Sequence, residues 1–258
     1  MNALVTGASS GIGLQYATEL ARQGHNLLLV SNQEEGIKET AQTLNKSYGI
    51  TATGLYRDLS QPNAAEELFA YCQEIGWQTD ILINNAGVFF FNEYAKTDIR
   101  RIELMLDLHV KTVSKMCRLF GEEMKKRKFG YILNMSSMSA WMAMPGISVY
   151  NATKAYILNF SKSLWYELMP HNVSVTAVCP GAVDTSLYGL SDYWRKIAVS
   201  IGVSMRPEVL ARKALKKMMK KKKEYIPGWM NHFFIFLVKH LPDWLVFFII
   251  KRIEEFAK

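Results

Sequence analysis

Tyr150 and Lys154 stand four residues apart in the segment Tyr-Asn-Ala-Thr-Lys. On a helix that spacing puts a phenol and an ammonium on one face. The ammonium favours the phenolate and lowers the tyrosine pKa from about 10, so Tyr150 is a usable general acid or base near neutrality. Ser137, thirteen residues upstream at the end of a strand-like run, offers a hydroxyl to a substrate oxygen. Alone, the Tyr-Lys pair also fits a solvated surface, so the reading depends on what accompanies it.

What accompanies it is a glycine loop. Thr6-Gly7-Ala8-Ser9-Ser10-Gly11-Ile12-Gly13 follows a strand-like run and opens a helical pattern. Glycines permit the tight turn and the close approach of backbone to a pyrophosphate, and the helix N-terminus then faces negative charge. A ligand-free glycine-rich turn is the bland alternative. After the second strand the chain reads Ser31-Asn32-Gln33. No carboxylate stands there to grip a ribose 2′-hydroxyl, and no Arg or Lys to clamp a 2′-phosphate. Missing repulsion favours NADP(H), with NAD(H) as the alternative. Ser10, Ser31 and Asn32 are the candidate donors to the phosphate.

Taken together, these motifs resemble the short-chain dehydrogenase/reductase family. Thr6-Gly7-x-x-x-Gly11-x-Gly13, Asp58-Leu59, Asn84-Asn85-Ala86-Gly87, Ser137, Tyr150-x-x-x-Lys154 and Pro180-Gly181-Ala-Val183-x-Thr185 occur in family order across roughly residues 1–225. The tail is loosely similar to the 17β-hydroxysteroid dehydrogenase and long-chain 3-oxoacyl reductase branch. The resemblance implies a doubly wound sheet and a nicotinamide cofactor. It further implies that Asp58 contacts the adenine, Asn85, Ala86 and Gly87 support the cleft, and Val183 and Thr185 hold the carboxamide. Lys154 would also bind the nicotinamide ribose. A substrate lid about 183–205 and pairing into a homodimer or homotetramer through helices near 98–127 and 149–168 belong to the same implication.

One position departs from the family pattern. His109 stands where the family carries an Asn that supports a helix kink and a water linked to the lysine. An imidazole can donate and accept, so His109 is either a stand-in within the catalytic group or a packed helix histidine. The residues near the catalytic groups are apolar: Phe89, Phe90 and Phe91, then Met138, Trp141, Met142 and Met144, then Tyr188, Tyr193 and Trp194. With no Arg or Lys between Ser137 and Tyr150, a lipophilic carbonyl compound fits better than a polyanion.

The elements that must position these groups alternate. Strand-like runs at 3–6, 26–30, 51–55, 80–84, 130–135 and 174–178 are separated by helical patterns near 11–23, 34–47, 63–76, 98–127 and 149–168. That alternation reads as βαβ units around a parallel sheet, an α/β Rossmann-type fold in one domain over 1–228. Residues 229–258 form a C-terminal hydrophobic helical extension holding six of the 13 Phe.

The composition agrees. Of 258 residues, 49% are hydrophobic and 21% charged, which excludes disordered, collagen-like and coiled-coil chains. Three separated cysteines form no CxxC pair, so neither a metal site nor a disulfide framework is expected, and the compartment is reducing. The net charge of +8 sits almost wholly in 206–223, and the rest is balanced, unlike a nucleic-acid binder. A strand so near the start leaves no room for a signal peptide, and the apolar runs 233–238 and 244–250 are too short to span a bilayer. The expectation is a cytoplasmic protein. Its basic run and aromatic tail read as an anchor on an anionic membrane surface, or else the tail is a hairpin capping the cleft or a dimer interface. In function the chain reads as an oxidoreductase acting on a ketone or secondary alcohol. Two rivals are a non-catalytic dinucleotide-binding module and an NAD-dependent epimerase.

Overall fold

Leu27, Leu28, Leu29 and Val30 are wholly buried, and their side chains divide by the strand period of two. Leu27 and Leu29 join one core with Ala3 and Val5, while Leu28 and Val30 join another with Leu4. A strand buried on both faces belongs inside a parallel sheet covered by helices on each side. The structure is a computed structural model that describes residues 1–184, 204–240, 242, 244, 245 and 247.

Strands β1 (Asn2–Thr6), β2 (Asn26–Ser31), β3 (Ala52–Tyr56), β4 (Ile81–Asn84), β5 (Gly130–Met135) and β6 (Val173–Val178) are parallel. They form one sheet with a short strand β9 (Glu224–Tyr225), in the order β3-β2-β1-β4-β5-β6-β9. Helices α1 (Gly11–Arg22), α2 (Glu34–Tyr48) and α7 (Pro207–Met219) cover the face of Ala3 and Val5. Helices α3 (Ala64–Glu74), α5 (Val113–Arg127) and α6 (Ser148–Leu168) contribute to the core behind Leu4. The winding direction reverses between β1 and β4, and the crevice beyond their C-terminal ends is where such sheets bind ligands.

Three features differ from the sequence reading. The helix expected over 98–127 is interrupted: α4 (Ile99–Leu106) passes through a π-turn at Asp107–Thr112 before α5. The edge strand β9 comes directly after the lysine run and pairs with Ala177 and Val178. Another short ladder joins β7 (Ala182–Val183) to β8 (Ser204–Met205). It brackets the expected lid, of which 185–203, with Thr185, Tyr188, Tyr193 and Trp194, lies outside the described residues.

Because β9 runs parallel to β6, the segments on its two sides lie at opposite ends of the sheet. The lysine run that ends the basic segment sits at the N-terminal end, where Lys223 donates to Tyr166 Oη at 2.6 Å and Lys221 donates to Asn172. The tail helix α8 (Trp229–His240) emerges at the C-terminal end and packs against the single turn Met138–Trp141. Ile235 is its buried contact, while Trp229, Phe233 and Phe236 are exposed. Residues 241, 243, 246 and 248–258 of the expected helical extension lie outside the described residues. Among the described residues, no helix is long and apolar enough to cross a membrane. All three cysteines are free and buried, and burial pushes each thiol up to about 12.

Candidate active site

The glycine loop is built for close approach. Gly7 has φ +65°, and its N–H donates to Val30 O at 2.8 Å, which ties the turn to β2. A Cβ on Gly13 would fall 2.0 Å from Gly7 O, so only glycine lets α1 start so near the turn. Ser10 caps α1 in an extended conformation without a side-chain cap bond. The first N–H groups of α1 and the Ser10 hydroxyl are thereby left to an anion. Ser9 Oγ lies 2.8 Å from Ser31 Oγ and donates to Gln33 Oε1 at 3.0 Å, joining the loop to the end of β2.

Across the crevice, Asn85 Nδ2 donates to Thr6 O at 3.0 Å and Gly7 O at 3.3 Å. Thr6 Oγ1 accepts from the N–H groups of Asn85 and Ala86. Asp58, beyond β3, accepts from Ser60 N at 3.0 Å, Ser60 Oγ at 2.7 Å and Gln61 Nε2 at 2.9 Å. Burial opposes its ionisation, but these hydrogen bonds prevail and hold its carboxyl below the usual range.

Lys154 is buried and donates from Nζ to Met135 O at 2.9 Å, with Nζ 5.4 Å from the centre of the Tyr150 ring. Burial pushes its ammonium down to about 8. Ser137 Oγ accepts from Ser139 N–H at 3.1 Å, which leaves its own proton to donate. Phe89 meets Tyr150 edge-on at 5.0 Å between centroids. Phe90 instead lies under the Arg101 guanidinium, and Phe91 packs on Gly146.

His109 has two fixed partners. Its Nε2 accepts from Val88 N–H at 3.0 Å, and its Nδ1 lies 3.0 Å from Thr153 Oγ1. Thr153 gives its only hydroxyl proton to Tyr150 O at 2.8 Å, so Nδ1 must carry the proton of the shared bond. His109 is therefore the neutral Nδ1–H tautomer. Burial, and then the Lys154 charge, hold its pKa well below 6.5. The ring sits in the π-turn, a helix irregularity frequent at functional sites.

One cleft brings together Gly7, Ser9, Ser10, Gly11, Ile12, Ser31, Asn32, Asp58, Leu59, Asn85, Ala86, Gly87, His109, Ser137, Tyr150, Lys154, Pro180 and Val183. Gly13 stands behind the loop. Gly181 lies outside the cleft, where an added Cβ would meet Asn231 Oδ1 of α8 at 2.6 Å and Met138 Sδ at 3.0 Å. Thr185 is outside the described residues. The sequence reading found no cation near Ser31, yet Arg57 lines the same cleft from the end of β3. It is distant in the chain from Ser31 and beside it in the sheet. Its position directly before Asp58 was the available signal. Ser136, whose Oγ donates to Lys154 O at 2.7 Å, was also missed.

The family model of short chain dehydrogenases matches residues 1–195. The chain belongs to that family. Among curated short-chain dehydrogenase relatives, human "inactive hydroxysteroid dehydrogenase-like protein 1" is 29% identical over 248 residues, 94% of this chain and 73% of that protein. The 7β-hydroxysteroid dehydrogenase of Clostridium sardiniense is 28% identical over 232 residues, 88% of this chain and 85% of that one. A solved short-chain dehydrogenase from Sphingobium yanoikuyae, in complex with NADPH, is similar at TM-score 0.80 and 30% identity, covering 88% of each chain. The fold and the family are those of oxidoreductases acting between CH–OH and C=O groups. The glycine cradle and the uncapped α1 N-terminus of this short-chain dehydrogenase fit a dinucleotide pyrophosphate.

Proposed function

We propose that the protein reduces a lipophilic ketone, or oxidises the matching secondary alcohol, with NADP(H). Steroid-like and long-chain 3-oxoacyl compounds are the favoured substrates. The observation carrying this reading is that Ser137, Tyr150 and Lys154 line the same cleft as the glycine loop. When bound, the nicotinamide supplies or accepts the hydride. The chain's own part is to hold the carbonyl and move a proton. Ser137 Oγ–H donates to the carbonyl oxygen, and Tyr150 Oη delivers the proton that oxygen gains on reduction. Lys154, with an ammonium pKa near 8, keeps positive charge beside the phenol at neutral pH. His109 is a positioning residue, acting on Tyr150 through Thr153.

Phe89 against Tyr150 supports an apolar substrate, as do the hydroxysteroid names of two relatives. The human relative's designation as inactive favours a second reading, a cofactor-binding module without turnover. NADPH oxidation over a panel of steroid ketones and 3-oxoacyl thioesters separates the two. Turnover is expected, and Tyr150→Phe should lower kcat at least about 100-fold with NADPH affinity nearly unchanged. Tight NADPH binding with no turnover on any carbonyl would establish the second reading.

A further inference from the structure

Arg57 extends the end of β3, and its backbone N–H donates to Ser31 O at 2.8 Å. Its side chain lines the cleft beside Ser31, Asn32 and Asp58. One guanidinium nitrogen, Nη1, pairs with Glu67 of α3. Nε is buried and has no hydrogen-bond partner. A guanidinium presents its donors in one rigid plane, so the Glu67 pair fixes where the remaining donors lie. The Arg57 side chain is 25% exposed and Glu67 58%, so solvent screens the carboxylate more than the cation.

The surrounding groups show what the partly exposed guanidinium faces. Asp58 is committed to Ser60 and Gln61, and Gln33 Oε1 already accepts from Ser9. Glu34 is paired with Lys38 at 2.6 Å. The loop after β2, Ser31-Asn32-Gln33, carries no carboxylate to accept from a ribose 2′-hydroxyl, and the nearest acids, Glu34 and Glu35, stand in the first turn of α2. The cleft there presents donors instead: the Arg57 guanidinium and the Asn32 amide, while the Ser31 and Ser9 protons are spent in the chain Ser31–Ser9–Gln33. In a dinucleotide crevice of this topology the adenosine ribose lies at the end of the second strand. A donor-rich edge with an unspent guanidinium there suits a dianionic oxygen cluster.

Resting on the NADP(H) reading above, we propose that Arg57 is the residue that recognises the 2′-phosphate of the cofactor. Glu67 acts as its positioning partner. The determinant comes from β3, next door in the sheet, rather than from the loop after β2.

Calorimetric titration of the full chain with 2′,5′-ADP and with 5′-AMP tests this without turnover. Wild type should bind 2′,5′-ADP more tightly. Arg57→Gln should weaken 2′,5′-ADP by about tenfold or more, as loss of a charge-assisted contact requires, and leave 5′-AMP within about twofold. Glu67→Gln, which keeps the guanidinium and removes its competing carboxylate, should tighten 2′,5′-ADP relative to 5′-AMP. That second variant carries the test if Arg57→Gln fails to fold. A wild type that does not discriminate overturns the NADP(H) reading itself. A discriminating wild type whose Arg57→Gln variant discriminates equally overturns the Arg57 assignment alone. Equal weakening of both nucleotides overturns it too, since that marks a contact with adenine or with the fold. A Glu67→Gln variant with unchanged discrimination removes Glu67 from the proposal, and where Arg57→Gln does not fold it overturns the Arg57 assignment as well.

Discussion

Thr153 Oγ1 sits 3.0 Å from His109 Nδ1, and so links the π-turn to the helix that carries Tyr150. Thr153 is one of the three residues that space Tyr150 from Lys154, and its hydroxyl proton goes back to Tyr150 O. His109 thus braces the turn of α6 that carries Tyr150 from one side and the backbone at Val88 from the other. An asparagine places its amide where Nδ1 lies and a glutamine reaches nearer to Nε2, so each keeps one of the two contacts. His109→Asn should keep kcat within several-fold of wild type. His109→Ala should lose more than about tenfold, because it strands both Thr153 Oγ1 and the Val88 N–H. The decisive readout is a fall in kcat with NADPH affinity unmoved, and restoration by Asn.

Gly87 belongs to the same arrangement. A Cβ there would fall 2.8 Å from His109 Nε2, inside the hydrogen bond to Val88. Gly87→Ala should destabilise the fold by about 1–3 kcal/mol, as overpacking does. In a His109→Ala background the same change should cost much less. A double-mutant cycle in denaturant checks this, and additive effects would show that the two sites do not meet.

Protonation of His109 would break its bond to Val88, so the folded protein holds it neutral while the unfolded chain titrates near pH 6.5. The contribution is intact above that value. As pH falls below it, the unfolded state takes up a proton that the native state refuses, and stability drops by up to about 1.4 kcal/mol per pH unit. His25, also depressed chiefly by burial, adds a parallel effect. Melting curves from pH 7 to pH 5 should show a shallower fall for His109→Asn than for wild type.

Lys154 titrates in the opposite sense for catalysis. Its ammonium is lost as pH rises through about 8, and with it the charge beside Tyr150. The kcat/KM for NADPH in ketone reduction, which reports the free enzyme, should therefore fall above about pH 8. A profile flat to pH 10 would remove Lys154 from that limb.

The tail supports separable expectations, because its two parts leave β9 at opposite ends. Deleting residues 229–258 uncovers Gly181 and the Met138–Trp141 turn, so KM for ketones should rise while NADPH affinity holds. Binding to anionic vesicles should have a salt-sensitive part that depends on Lys220, Lys221 and Lys222, and a salt-resistant part lost with the tail. Co-sedimentation measures both. Intact protein left in the supernatant at low salt would refute membrane docking, and a deletion harmless to every ketone would refute the capping role.

The strands were legible because each is an aliphatic run bounded by turn residues, and Leu27 to Val30 could hardly be anything else. The glycine loop, Ser137, Tyr150 and Lys154 were legible as spacing. The π-turn was not, since the apolar pattern runs on through residues 98–127 and one extra residue per turn leaves no mark in it. Strand β9 escaped because two residues after a lysine run carry no periodicity. Arg57 escaped because its neighbour Ser31 is adjacent through the parallel register of β2 and β3, which chain order does not display. Thr153 read as mere spacer between Tyr150 and Lys154 until its partners were visible.

The three thiols give the molecule internal clocks. Cys72 lies on α3, Cys117 on α5 and Cys179 just beyond β6, each buried and almost entirely protonated at neutral pH. Cys117 and Cys179 are closed to an alkylating reagent in the folded protein, and Cys72, which lines a small surface cleft with Phe69 and Trp77, is only 1% exposed. The reagent's rate at each position then reads how often that part of the molecule opens. Mass spectrometry of a timed alkylation would resolve the three rates in the wild-type chain. Saturating cofactor should slow Cys179, next to Pro180 of the cleft, more than it slows Cys72, on the outer layer. The unaltered sequence thus reports which layers of the fold ligand binding tightens.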